Sequence, residues 1–89
     1  MLKIDISKQA AKFLLKVHPK HGKQIARKLM ELRINPTPTD SIKLKGFAYK
    51  RVDIGEYRIV YYVKSEILYI VVVGKRNDDE VYWIKGASK

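Results

Sequence analysis

Residues 43–82 form three apolar runs separated by two short polar breaks, Gly55-Glu56 and the residues around Ser65. Runs rich in β-branched and aromatic residues, joined by breaks this short, predict an antiparallel meander of two tight hairpins. Residues 67–73 are apolar at both odd and even positions, which predicts an interior strand covered on both faces, with Gly74 expected to end it. The remainder of the chain reads as packing for this sheet.

The first hairpin can be registered from its turn. If Gly55 leads a two-residue turn, Ile54 faces Tyr57, Asp53 faces Arg58, Val52 faces Ile59 and Arg51 faces Val60. One face then carries Lys50, Val52, Ile54, Tyr57, Ile59 and Tyr61, and should meet the helices. The other carries Tyr49, Arg51, Asp53, Arg58, Val60 and Tyr62, and is expected to be exposed.

Upstream, Leu2, Ile4 and Ile6 alternate with Lys3 and Asp5, the pattern of a half-buried strand. Ser7 is placed to cap a helix whose apolar positions Ala10, Phe13, Leu14 and Val17 follow helical spacing. His18, Pro19 and His21-Gly22 read as a connection to a second helix, about Lys20 to Arg33, with Ile25, Leu29 and Leu32 on its buried stripe. Lys20, Lys23, Arg27 and Lys28 lie mostly outside that stripe, and Pro36 and Pro38 end the helix. Two histidines three apart are too few ligands for a metal site. Residues 77–80, Asn-Asp-Asp-Glu, read as a solvated acidic turn, so no metal or cofactor is expected.

Charge narrows the function. Lys plus Arg number 19 against 9 Asp plus Glu, a formal net charge of +10. Residues 1–50 hold 12 basic and 3 acidic side chains, whereas 51–89 hold 7 and 6. A small domain with that imbalance attracts a polyanion, either nucleic acid or an acidic protein. There is no cysteine, so disulfide scaffolds and thiolate zinc sites are excluded, and a reducing compartment is consistent. The start of the chain lacks the apolar block of a signal peptide, and its longest apolar run is far too short to span a bilayer. A soluble intracellular protein without membrane attachment is expected.

Arginine presents its donors in a fixed fork that matches phosphate oxygens. Arg51 and Arg58 on one sheet face, with Lys75 and Arg76 beyond a neighbouring strand end, therefore read as a phosphate cradle. Tyr49, Tyr62, Tyr69 and Tyr82 are of the type that stacks on unpaired bases.

Three segments carry a resemblance: Lys43-Leu44-Lys45-Gly46, then Gly55-Glu56-Tyr57-Arg58-Ile59-Val60-Tyr61, then Gly74-Lys75-Arg76-Asn77 closing with Glu80-Val81-Tyr82. In this order and spacing the chain resembles the RelE/ParE toxins of type II toxin-antitoxin systems, the RelE branch in particular. The resemblance implies one domain over residues 1–89, of class α+β, with two N-terminal helices on a small, largely antiparallel sheet of about four strands. It implies a cytoplasmic toxin partnered by a cognate antitoxin, acting with the ribosome on mRNA as a metal-free endoribonuclease. By the same resemblance Arg51, Arg58, Arg76 and Tyr82 are the catalytic set, while Lys43, Lys45, Lys50 and Lys75 contact nucleic acid. Two alternatives stay open: inhibition of DNA gyrase, as in the ParE branch, and a weakened enzyme that still binds antitoxin.

The chain departs from the resemblance at Asp53, where RNA-cutting relatives often carry a second basic residue. A carboxylate there repels a phosphate. In the register above it lies opposite Arg58, and an exposed cross-strand pair contributes about 0.2–1 kcal/mol, weak enough for a phosphate to displace. A competing expectation makes Asp53 the general base for a 2′-hydroxyl.

Overall fold

The computed structural model describes residues 1–44 and 48–77. The chain runs β1 (Lys3–Ile6), α1 (Lys8–Lys16), α2 (Pro19–Ile34), β2 (Ile42–Lys43), β3 (Lys50–Ile54), β4 (Tyr57–Lys64) and β5 (Ile67–Lys75). The strands form one five-stranded sheet in the order β1-β5-β4-β3-β2. β1 joins β5 in parallel, and the other neighbours pair antiparallel. The α+β class and the two-helix layer are as expected, and the two-residue β2 at the edge is the strand that the sequence pattern leaves out.

The expected register of the first hairpin is the observed one, with Ile54 opposite Tyr57 and Asp53 opposite Arg58. Its turn places Gly55 at φ +58, the left-handed region that favours glycine. Val52, Tyr57, Ile59 and Tyr61 are buried together with Ala10, Ile25, Leu29 and Leu32, so the predicted inner face does meet the helices. Tyr61 is wholly buried, and its hydroxyl donates to the Pro36 carbonyl at 2.7 Å, which ties the proline connector to the core.

β5 departs from simple alternation. Val60 faces Val72 but Tyr61 faces Ile70, so Val71 is the extra residue of a β-bulge. The bulge shifts the parity of the strand, and Leu68, Ile70 and Val73 all enter the main core. Nor does Gly74 end the strand, which continues to Lys75, because Gly74 still pairs with Arg58.

The outer face is also less open than its polar residues imply. Val60 and Val72 are 1% and 7% exposed and form a second small cluster with Leu44, Tyr49 and Val71. Leu44 and Tyr49 make this cover, with the Leu44 amide donating to the Tyr49 carbonyl at 2.9 Å.

The edge of β5 that β1 leaves unpaired is completed by side chains at the start of α1. Ser7 caps the helix by accepting from the Ala10 amide, and its hydroxyl donates to the Val71 carbonyl at 2.7 Å. The Gln9 amide then donates to the Val73 carbonyl at 2.9 Å and accepts from the Val73 amide at 3.0 Å, as a strand residue would.

Two sequence readings of the helices are corrected. α2 starts at Pro19, so His21 and Gly22 are helical and only Val17 and His18 connect the helices. Proline suits the first turn because its missing N–H has no partner to lose there. Lys28 is buried and not on the solvated face. Its ammonium sits 2.8 Å from the Asp40 carboxylate, which holds the Asp40 pKa below its ordinary value through that hydrogen bond.

The turn between β4 and β5 is strained. Ser65 and Glu66 take φ 53 and 65, left-handed conformations that cost a side-chain-bearing residue about 1–2 kcal/mol. Ser65→Asn with Glu66→Gly, the pair this turn geometry favours, should stabilise the protein by about 1 kcal/mol in urea unfolding. Ser7→Ala should lower stability by about 1–2 kcal/mol, since it removes both the cap and the bond to the bulge.

Candidate functional site

On the outer face, Asp53 collects three arginines from three parts of the sheet. Arg58, its cross-strand partner on β4, donates from Nε to Oδ1 at 2.8 Å and from Nη2 to Oδ2 at 3.3 Å, a two-point fork. Arg76, just past β5, places Nε 3.5 Å from Oδ2, and Arg51 on β3 places Nη1 3.9 Å from the same oxygen. Side-chain exposure is 15% for Arg58, 33% for Asp53 and 51% for Arg76. The expected exposed pair is thus a half-buried, bidentate one, and it is correspondingly harder to displace.

Each arginine is aimed by its backbone. Arg51 and Asp53 are two apart on one strand and so share a face, and the hairpin register brings Arg58 opposite Asp53. Arg76 is anchored from the turn: its amide donates to the Glu56 carbonyl at 2.8 Å, and its Nη1 to the Gly55 carbonyl at 3.4 Å.

The Arg58 hydrogen bonds hold the Asp53 carboxyl below its ordinary pKa of 3.8, outweighing the burial that pushes it up, with the charges of Arg58, Arg51 and Arg76 adding in the same sense. So depressed a carboxylate is a weaker base than an ordinary one, and its oxygens are already engaged.

Beside the cluster on the same face lies a ladder of tyrosines. The Tyr62 and Tyr69 rings stack with centroids 4.7 Å apart and planes 15° apart, and Tyr49 lies 5.5 Å from Tyr62. Of the rings expected to meet bases, Tyr49 just before β3, Tyr62 on β4 and Tyr69 on β5 are therefore packed side by side.

The predicted lysines are not brought to the arginines. Lys43 pairs with Lys50, Lys50 with Tyr61, and Lys75 with Tyr57, so all three share the parity of the helix-covered face. Lys45 and Tyr82 lie outside the described residues, as do the acidic residues 78–80. Among the described residues no group of three His, Cys, Asp or Glu is placed to hold a metal, and no helix is long and apolar enough to cross a membrane. The paired histidines serve the fold instead: His18 caps α2 by accepting from the Lys20 amide at 3.1 Å, and His21 Nδ1 lies 2.6 Å from the buried Tyr57 hydroxyl.

This fold is that of a known group of proteins. Residues 4–80 match the family described as the ParE toxin of the type II toxin-antitoxin system parDE, and the chain belongs to that family. The isolated E. coli RelE toxin is similar at 26% identity and a TM-score of 0.76, over 99% of this chain and 98% of that one. The archaeal RelE-RelB complex from Pyrococcus horikoshii OT3 gives 26% and 0.76 over 85% and 96%, and the YoeB-YefM complex from Staphylococcus aureus 26% and 0.69 over 88% and 99%. Among curated proteins no sequence match is found. The chain is a type II toxin of the RelE/ParE superfamily, with its solved relatives in the RelE branch.

Protonation of Asp53 should uncover the repulsion among the arginines. Because the folded-state pKa is lowered, the carboxylate stabilises the fold fully above its unfolded value and loses that contribution as pH falls through the folded value. Asp53→Asn should therefore be less stable than the parent at pH 7, and the two should converge in pH-resolved chemical unfolding as pH falls through the lowered folded-state pKa of Asp53.

Proposed function

We propose that this toxin cuts messenger RNA on the ribosome, by attack of a 2′-hydroxyl on its own adjacent phosphate without a metal. The observation that supports this most is the convergence of Arg51, Arg58 and Arg76 on one point of the outer face, all within 4.0 Å of a single carboxylate. Phosphate oxygens that gain charge in the transition state require donors held in advance at one place, and guanidinium groups on paired strands meet that need. The similarity to RelE structures at 26% identity supports the same reading.

In the cleavage step the 2′-oxygen bonds to phosphorus as the bond to the 5′-oxygen breaks, leaving a 2′,3′-cyclic phosphate and a free 5′-hydroxyl. One proton leaves the nucleophile and one reaches the leaving oxygen. Arg58, the least exposed of the three, is assigned to the equatorial phosphate oxygens, with Arg51 beside it. Arg76, at the open strand end, is assigned to the leaving oxygen, and Tyr82 to proton transfer. Lys43, Lys45, Lys50 and Lys75 act in docking along the RNA or ribosome, apart from the chemistry. A cognate antitoxin is the protein partner, as RelB is for RelE in the solved complexes.

A second reading, inhibition of DNA gyrase without cleavage, is favoured by the match to the ParE family and by a carboxylate at the heart of the arginine cluster. Expression without antitoxin separates the two. Growth arrest with new mRNA ends that depend on translating ribosomes supports the first, whereas intact mRNA with blocked supercoiling selects the second.

Arg58→Ala and Arg76→Ala should each lower single-turnover cleavage by about 10² or more, the scale of removing one transition-state donor, and Tyr82→Phe should do the same through proton transfer. Antitoxin binding should persist in all three.

Docking should be separable from chemistry. Lys8, Lys12 and Lys23 are exposed, and replacing each with Gln should flatten the salt dependence of ribosome binding by about one unit per lost contact. Lys28 is withdrawn from this set, because its bond to Asp40 makes Lys28→Gln a change in stability.

A further inference from the structure

We infer that the three guanidinium groups form a site for a phosphodiester, and that Asp53 is its internal occupant in the resting protein. The inference rests on the reading of this face as a phosphate site, and concerns how that site is kept filled.

Arg58 grips Asp53 by the two-point fork that guanidinium also makes with phosphate, Nε at 2.8 Å and Nη2 at 3.3 Å. A carboxylate and a phosphodiester each offer two oxygens and one negative charge, so the exchange of one for the other keeps the local charge. All three guanidinium groups lie within 4.0 Å of this carboxylate, with Arg76 at 3.5 Å and Arg51 at 3.9 Å on the same oxygen. For a phosphate to take the same fork, the short Asp53 side chain has to give it up and turn aside, but need not leave the face.

The way in is from the strand end. Arg76 is half exposed and held by the backbone carbonyls of Gly55 and Glu56, so it stays in place when the fork opens, whereas Arg58 is nearly covered. An incoming phosphate meets Arg76 first and Arg58 second. Asp53 thus lowers affinity for small anions and reserves the site for a ligand with further contacts, such as a nucleic acid strand that also engages the basic surface.

The test uses inorganic phosphate and an uncleavable 2′-deoxy dinucleoside monophosphate, titrated at low salt and followed by the arginine Nε–H resonances. Asp53→Asn should bind both probes about tenfold more tightly than the parent, with the Arg58 resonance moving on binding. Glu56→Gln removes the same charge from the exposed neighbouring turn and should change affinity by no more than about twofold.

A folded Asp53→Asn that binds no tighter, or an equal gain in both variants, overturns the inference. Should Asp53→Asn fail to fold, the parent carries the test, since saturating phosphate should move the Asp53 carboxyl and Arg58 Nε resonances together. Phosphate binding that leaves either unmoved overturns it. Neither probe requires cleavage, so tight binding with uncut mRNA in cells removes the nuclease reading and keeps the site. Cut mRNA with no gain in Asp53→Asn does the reverse.

Discussion

The pairing of β5 with its neighbours is the constraint on which the rest of the molecule depends. β5 takes β1 along one edge and β4 along the other, so its residues pair on both sides over much of its length. Where β1 ends, Ser7 and Gln9 continue the pairing with side-chain atoms, which fixes the start of α1 against Ile70, Val71 and Val73. The helical layer thus receives its position from hydrogen bonds to a strand far away in sequence. Buried backbone groups left unpaired are costly, and the polar side chains at the head of α1 remove that cost.

Against this rigid frame, the arginine cluster is a local conflict that the frame tolerates. Three guanidinium groups on one face repel one another, and burial of Arg58 sharpens the repulsion by excluding water. Asp53 relieves it in the folded state. On the proposed reading, stability and anion binding thus make opposed demands on one side chain: the carboxylate that steadies the sheet is also the group a phosphate would replace. Trade-offs of this kind concentrate at functional sites, where the surrounding fold supplies the stability that the site forgoes.

The sequence made the hairpin register legible to the residue, because a glycine-led two-residue turn fixes the pairing and the pairing fixes the faces. The pattern alone therefore puts Arg58 opposite Asp53 and Tyr57 in the core, where both are found. Features set by long-range geometry were not legible. Lys28 looks like a surface lysine by helical spacing, and only the path of the proline connector brings Asp40 to it. Arg76 was legible as a member of the cradle with Arg51 and Arg58, but its contact with Asp53 depends on β5 running past Gly74 to Lys75. The burial of Val60 needs Leu44 and Tyr49 packed over it, contacts that alternation in a strand does not encode.

The bulge at Val71 links the core to the outer face. With strict alternation through β5, a strand that buried Val73 would also turn Val71 and Tyr69 inward, and Leu68 and Ile70 outward. One extra residue resolves this: Leu68, Ile70 and Val73 all reach the core, and Tyr69 is delivered to the outer face against Tyr62. The apolarity of residues 67–73 at both parities is thus the signature of a strand that changes parity midway as well as one covered on two sides. Beyond the bulge, Gly74 lies opposite Arg58, so the position facing the arginine across β4 and β5 carries no side chain. The same insertion therefore fills the core, assembles the tyrosine ladder and sets the register in which Arg58, already paired with Asp53 on β3, meets a glycine on β5.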